Sequence, residues 1–129
     1  MIRLEVDPFP TEEQLAPLWQ SAWGMPLRAG YSDTVLKHGL GHVGAFFDDR
    51  LVGFVNVAWD GGVHAFLLDT TVHPDFQRRG IATALVRRAA ELARRRGAGW
   101  LHVDYEPHLE GFYRGCGFRS TAAGLIDLK

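Results

Sequence analysis

The sequence has almost no cysteine, the residue that stabilises disulfide-linked and many zinc-binding folds: Cys116 is the only one among 129 residues. One cysteine excludes an internal disulfide and argues against a zinc site built on cysteines. No apolar run approaches the ~20 residues that cross a bilayer, and residues 1–10 lack the basic-then-apolar order of a signal peptide. We therefore expect a cytoplasmic protein with no membrane partner.

The chain also lacks an excess of charge of one sign. A net charge of −1 gives no general argument for a nucleic-acid partner. With 47% apolar and 22% charged residues, a packed core is expected rather than disorder. The length suits one domain spanning residues 1–129. Arginines crowd into residues 78–96, and most of them fit a solvated helix face, but Arg78 and Arg79 precede that helix.

Apolar periodicity predicts the element order β, α, α, β, β, β, α, β, α, β. A first strand covers residues 2–6, Thr11 begins a helix, and residues 31–38 form a second short helix capped by Ser32 or Asp33. Residues 42–59 indicate a hairpin turning at residues 48–50, followed by a strand at residues 63–72.

The second half of the chain adds the elements that determine the topology. A helix follows Gly80, a strand covers residues 100–105, a short helix lies within residues 109–118, and a last strand passes through Leu125 and Ile126. The strand–helix–strand crossover implies one parallel pair in an otherwise antiparallel sheet. The predicted class is α/β, with helices flanking a mixed sheet.

The segment VHPDFQRRGIATALVRRAAELARRRG, which begins at Val72, predicts an anion site where its helix starts. Helix N-termini present unpartnered N–H groups with partial positive charge, and a turn that directs them to one point binds phosphate. Gly80 permits an unusual backbone conformation, Ala82 keeps the first helical turn slim, and Arg78 and Arg79 add charge. A pyrophosphate held mainly by backbone amides is the expected ligand.

Two other nucleotide motifs do not account for the sequence. The Walker pattern GxxxxGK[ST] is absent. Gly39, Gly41 and Gly44 spell GxGxxG, but they lead into a strand rather than a helix, which disfavours a dinucleotide site. We expect these glycines to end a helix and begin a hairpin.

Two signatures resemble those of a known family. Residues 77–82 (QRRGIA) match Q/R-x-x-G-x-G/A between the fourth strand and third helix, with Val72 and Pro74 as a V-x-P lead-in. Phe112-Tyr113 followed by Gly117-Phe118 matches a later F/L-Y…GF signature. With the element order, the chain is similar to the GCN5-related N-acetyltransferase (GNAT) family, most clearly from Phe66 to Phe118.

The resemblance implies a cosubstrate and a reaction. In that family the turn binds the pyrophosphate of acetyl-CoA, and the pantetheine arm lies where a bulged fourth strand splays from the fifth. The acetyl group passes to an amine by direct attack in a ternary complex, without a metal. Carried over, the residues lining the pantetheine arm are Thr70, Thr71 and Val72, and those holding the phosphates are Gln77, Arg78, Arg79, Gly80, Ile81, Ala82 and Thr83.

Acetyl transfer also needs an acid and a base. Tyr113 matches the family tyrosine that protonates the leaving thiolate, and a phenol remains protonated at pH 7. His102 on the fifth strand, Asp69 on the fourth and Glu106 just past the fifth remain alternatives for the base. The grouping of His102, Asp104 and His108 lacks the spacing of a metal triad, and Cys116 is interpreted as a small buried filler.

Two functions fit this sequence. One is an N-acetyltransferase acting on an amine of a small molecule or a protein. The other is a non-catalytic acyl-CoA sensor or partner subunit of the same shape. Relatives are often dimers, so the resemblance also implies a homodimer as a partner arrangement.

Overall fold

The computed structural model describes residues 1–129 and has a five-stranded sheet at its centre. The strands lie in sequence order, antiparallel from β1 to β4, with β4 and β5 parallel. This confirms the predicted mixed sheet with one parallel pair. The strands are β1 (Ile2–Val6), β2 (Gly41–Phe47), β3 (Arg50–Trp59), β4 (His64–Val72) and β5 (Trp100–His102).

Four α-helices and three shorter helical turns accompany the sheet. The α-helices are α1 (Glu12–Trp23), α2 (Leu36–His38), α3 (Ile81–Arg95) and α4 (Glu110–Gly115). A π-helical turn (Tyr31–Val35) runs directly into α2, and 3-10 turns cover Pro74–Phe76 and Pro107–Leu109. None of these helices combines the length and apolarity that a membrane crossing requires.

The helices pack on both faces of the sheet and form two cores. The larger core lies between α3 and the sheet, and it includes the buried stripe of α3 that begins at Ile81 and continues through Leu85, Val86, Ala89 and Leu92. The smaller core joins Leu15 and Leu18 of α1 to Tyr31, Leu36 and Phe54. Successive side chains of a strand point to opposite faces, so one sheet contributes apolar side chains to both cores.

Helix α1 begins as its sequence predicts. The Thr11 hydroxyl accepts from the backbone N–H of Gln14 at 3.2 Å, and the Gln14 side chain accepts from the Thr11 N–H at 2.9 Å. This reciprocal pair satisfies two of the amide groups that a helix start leaves free. The second helical segment differs from the prediction: its N-cap is Gly30 with a left-handed φ of 80°, and neither Ser32 nor Asp33 caps it.

The predicted last strand is wrong. Residues 116–129 form no strand, and Leu125 and Ile126 are 86% and 85% exposed. Strand β5 is also shorter than expected and ends at His102. An alternating apolar pattern gives a strand only where a neighbouring strand is available for hydrogen bonding. Residues 116–129 have no such neighbour.

A polar cluster lies under the edge of the smaller core, around the fully buried His42. The Phe9 N–H donates to His42 Nε2 at 2.9 Å, so that nitrogen carries no proton. The backbone N–H of His42 donates to the Asp7 carboxylate at 3.0 Å, and that carboxylate pairs with Arg96 at 2.7 Å. Burial lowers the pKa of His42 below 6.5; the positive charge of Arg96 also lowers this pKa, whereas the negative charge of Asp7 raises it. His42 is therefore a neutral core residue.

We predict that stability falls as the pH drops below about 6.5. In that range the histidine of the unfolded chain is protonated while His42 of the folded protein stays neutral. The free energy of unfolding therefore rises with pH by up to about 1.4 kcal/mol per pH unit. The variant His42→Gln keeps an acceptor for Phe9 but does not titrate, and its profile should be flatter. Urea denaturation at pH 5.5, 6.5 and 7.5 measures this.

The matched control is His108→Gln, which removes an exposed imidazole and should keep the wild-type slope. Equal slopes for His42→Gln and wild type would contradict the role of His42.

Candidate active site

The turn between β4 and α3 has an unusual backbone. It leaves β4 at Val72 and passes through the 3-10 turn before entering α3. The Gln77 side chain donates to the Val72 carbonyl at 3.4 Å and so ties the turn to the end of β4. Arg78 and Gly80 both adopt left-handed φ values, 63° and 79°, with Arg79 between them outside that region. Such alternation directs successive N–H groups toward one side of the chain.

The backbone amides of this turn are free. The six N–H groups of residues 78–83 donate no hydrogen bond within the protein, and the first such bond of the helix runs from the Ala84 N–H to the Gly80 carbonyl at 3.0 Å. Residues 77–80 are exposed, and apart from the chain neighbours of Gly80, no atom lies within 4 Å of the position that a Gly80 side chain would take. Six donors at a helix N-terminus form a place for an anion.

Cationic and aromatic side chains surround the turn. The Arg79 guanidinium lies 5.0 Å from the ring centre of Phe76, and the Arg50 guanidinium lies 5.8 Å from the same ring. Arg50 also contacts His73 at 2.9 Å. Sequence reasoning missed Arg50 and His73, since only the folded hairpin brings residue 50 beside the β4–α3 turn.

Strand β4 is irregular just before the turn. Leu68 pairs with Asn56 and Thr71 with Phe54, so Asp69 and Thr70 together stand opposite one residue of β3. This is a β-bulge, and Asp69 adopts a left-handed φ of 58° within it.

Strand β4 separates from β5 before the bulge is reached. The parallel pairing ends at Phe66 with His102, so residues 67–72 have no partner in β5. Thr70 and Val72 are half-buried in this open stretch. Two residues predicted as ligands offer only backbone groups here, because the Thr71 side chain is buried and donates to the Asp69 carbonyl, and that of Ile81 lies in the larger core.

Tyr113 of α4 lies against the bulge. Its ring stacks on Tyr105 with centres 5.0 Å apart, and Thr70 is the side chain next to its hydroxyl. Burial raises the pKa of the Tyr113 phenol above 10, an effect that Thr70 partly offsets and that Cys116 and Asp104 reinforce. The phenol is therefore protonated at neutral pH and can donate a proton at this point.

The three candidate bases have different surroundings. Asp69 occupies the bulge, where its Oδ2 accepts from the Tyr31 hydroxyl at 2.6 Å. His102 lies at the level of Phe66, roughly 10 Å along the strand from Asp69. It is exposed and contacts His64 at 2.9 Å. Glu106 is exposed in the loop after β5, and its side chain makes no hydrogen bond. Asp69 alone of the three lies in the bulge beside Thr70, whereas Glu106 directly follows Tyr105, whose ring stacks on Tyr113.

Other groups contribute little chemistry to this region. No three His, Cys, Asp or Glu side chains come together as a metal site. Cys116 is only partly buried rather than a fully enclosed filler, and burial raises the pKa of its thiol, with Arg87 and Thr83 opposing.

We predict that Gly80→Val weakens CoA binding roughly tenfold or more. Valine pays about 1–2 kcal/mol to hold a left-handed φ, and its branched side chain covers the neighbouring amides. Isothermal titration with CoA measures the change. Gly97→Val is the control, since Gly97 is also left-handed (φ 100°) but lies past the other end of α3. Gly97→Val should lose stability while its CoA affinity stays at the wild-type value, and an unchanged affinity in Gly80→Val would contradict the amide site.

Comparisons with known proteins agree with this geometry. Residues 1–118 match the model of the Acetyltransferase (GNAT) family. An uncharacterized N-acetyltransferase of the red alga Porphyra purpurea is 33% identical over 76 residues, covering 59% of this chain and 44% of the relative. A mycothiol acetyltransferase of Mycolicibacterium vanbaalenii is 34% identical over 84 residues, covering 65% of this chain and 25% of the relative. The chain thus spans less than half the length of these curated relatives.

Solved structures share the whole fold. A probable acetyltransferase from meticillin-resistant Staphylococcus aureus superposes with a TM-score of 0.85 over 100% of this chain and 99% of its own, at 21% identity. A GNAT-family acetyltransferase from Streptococcus pneumoniae gives 0.80 over the full length of both chains, at 25% identity. Since the family model covers nearly all of the sequence, the chain belongs to the GNAT acetyltransferase family.

Proposed function

We propose that the protein transfers the acetyl group of acetyl-CoA to a primary amine by direct attack in a ternary complex. The observation that carries this proposal is the run of six free backbone amides at residues 78–83, which continues from the unpaired stretch of β4. Free amides of this kind suit a diphosphate, and the edge of β4 that has no partner in β5 suits an extended arm that contains amide groups. Acetyl-CoA carries a diphosphate followed by such an arm.

The cosubstrate would bind largely through main-chain atoms. Residues 78–83 supply N–H groups to the pyrophosphate, and Arg78 and Arg79 add positive charge at the exposed rim. The Thr70 side chain and the backbone of Thr71 and Val72 line the pantetheine arm. No metal takes part in the proposed reaction.

The reaction requires four proton movements. The acceptor ammonium gives a proton to a base, for which we favour Asp69 because it is held in the β4 bulge beside Thr70, and the neutral nitrogen then attacks the thioester carbonyl. The C–S bond breaks as the C–N bond forms, and Tyr113 protonates the departing sulfur. The proton lost by the new amide nitrogen restores the Tyr113 phenol, and the proton held by the base leaves to solvent.

The test is a spectrophotometric assay of CoA release from acetyl-CoA with a panel of primary amines. We expect slow CoA release from acetyl-CoA without an amine and faster release with at least one amine. Mass spectrometry should then detect the acetylated amine. Tight acetyl-CoA binding with no amine-dependent release would overturn transfer and leave a sensor or partner subunit.

Tyr113→Phe should lower kcat roughly 100-fold, because the leaving thiolate loses its proton donor, while affinity for CoA stays near the wild-type value. Steady-state kinetics and CoA titration measure the two quantities. Tyr105→Phe removes a hydroxyl from the ring stacked on Tyr113 and serves as the control, with kcat close to wild type. Equal kcat values for Tyr113→Phe and wild type would remove the acid role.

A further inference from the structure

A buried tyrosine from the helical layer holds the β4 bulge. The Tyr31 hydroxyl donates to Asp69 Oδ2 at 2.6 Å, and Tyr31 is only 6% exposed. Its ring packs between Trp19 and Phe54, with ring centres 5.2 and 6.2 Å away. The hydroxyl is therefore fixed in place by the smaller core before any ligand arrives.

A second link reaches the same bulge. The Trp23 indole N–H donates to the Thr71 hydroxyl at 3.0 Å, and that hydroxyl donates to the Asp69 carbonyl at 2.8 Å. The helical layer thus holds both the carboxylate and the main chain of Asp69. A left-handed φ strains an aspartate and persists only where its surroundings determine it.

The Tyr31 phenol keeps its proton at this contact. Burial, and then the negative charge of Asp69, raise the pKa of the Tyr31 phenol far above its usual value of 10. Tyr31 is therefore the donor and Asp69 the acceptor. The Asp69 carboxylate has no ion-pair partner, and its Oδ1 makes no hydrogen bond within the protein. A half-buried carboxylate with a free oxygen is best complemented by a cation with N–H donors.

We propose that Tyr31 is a positioning residue for acetyl transfer, which fixes Asp69 so that Oδ1 receives the ammonium of a primary-amine acceptor. This inference rests on the proposed function and deepens it, since it assigns recognition of the acceptor cation to Asp69 and its orientation to Tyr31. The bulge in the unpaired stretch of β4 would then present the carboxylate to the acceptor.

The test compares Tyr31→Phe with wild type, using acetyl-CoA and the fastest amine of the panel. The phenylalanine ring keeps the packing on Trp19 and Phe54 and loses only the donated hydrogen bond. We expect kcat/KM for the amine to fall about tenfold, as for loss of one hydrogen bond to a charged group. The KM for acetyl-CoA should stay within about twofold of wild type, a split that general loss of structure would not give.

Two further variants separate positioning from packing. Ser32→Ala breaks an equally short hydrogen bond from the same π-helical turn, but to the Pro10 carbonyl, and should keep wild-type kinetics. Asp69→Asn should lower kcat/KM for the amine more than Tyr31→Phe does. The double variant should be no slower than Asp69→Asn alone, because Tyr31 acts through Asp69.

Each outcome decides a different point. Tyr31→Phe with a wild-type kcat/KM for the amine, or additive losses in the double variant, would overturn the inference while leaving acetyl transfer intact. Equal losses in Tyr31→Phe and Ser32→Ala would assign the effect to packing and also overturn it. A wild-type protein without amine-dependent release would overturn the proposed function, and this inference with it.

Discussion

The rest of the site depends on one interruption of regular pairing, the bulge at Asp69 and Thr70 in β4. An added residue reverses the alternation of the strand, so Leu67 faces the α3 core whereas Thr71 bonds to Trp23 of the α1 layer. Residues 67–72 also have no partners in β5, which ends at His102. In a regular strand, the alternation that places Leu67 in the α3 core would continue, and Thr71 would face α3 rather than Trp23.

The two faces of the sheet contribute groups of opposite charge to the bulged end of β4. On the α3 side, the chain leaves β4 and enters a turn of free amides flanked by arginines. On the α1 side, a carboxylate held by Tyr31 lies in the bulge itself. An anionic cosubstrate and a cationic acceptor would therefore approach from different directions and meet beside Thr70 and Tyr113. This arrangement suits transfer between two substrates bound together.

Sequence patterns were reliable where the cause was local. The Thr11 capping box, the apolar stripe of α3, and the turn before that helix all depend on residues within a few positions of one another. The prediction failed for the last strand because residues 116–129 have no strand to pair with. It also left the base open among Asp69, His102 and Glu106, since sequence does not reveal which of these side chains the fold holds in the β4 bulge.

The sequence by itself determined the turn at residues 77–83, because a glycine before a helix and the lack of acceptors for the first amides are local properties of the chain. Only the tertiary structure decided which side chains face that chemistry. The contacts of Tyr31 with Asp69 and of Arg50 with Phe76 join residues 38 and 26 positions apart in the chain. Such contacts arise from packing helices and hairpins onto both faces of one sheet, and no short-range pattern encodes them.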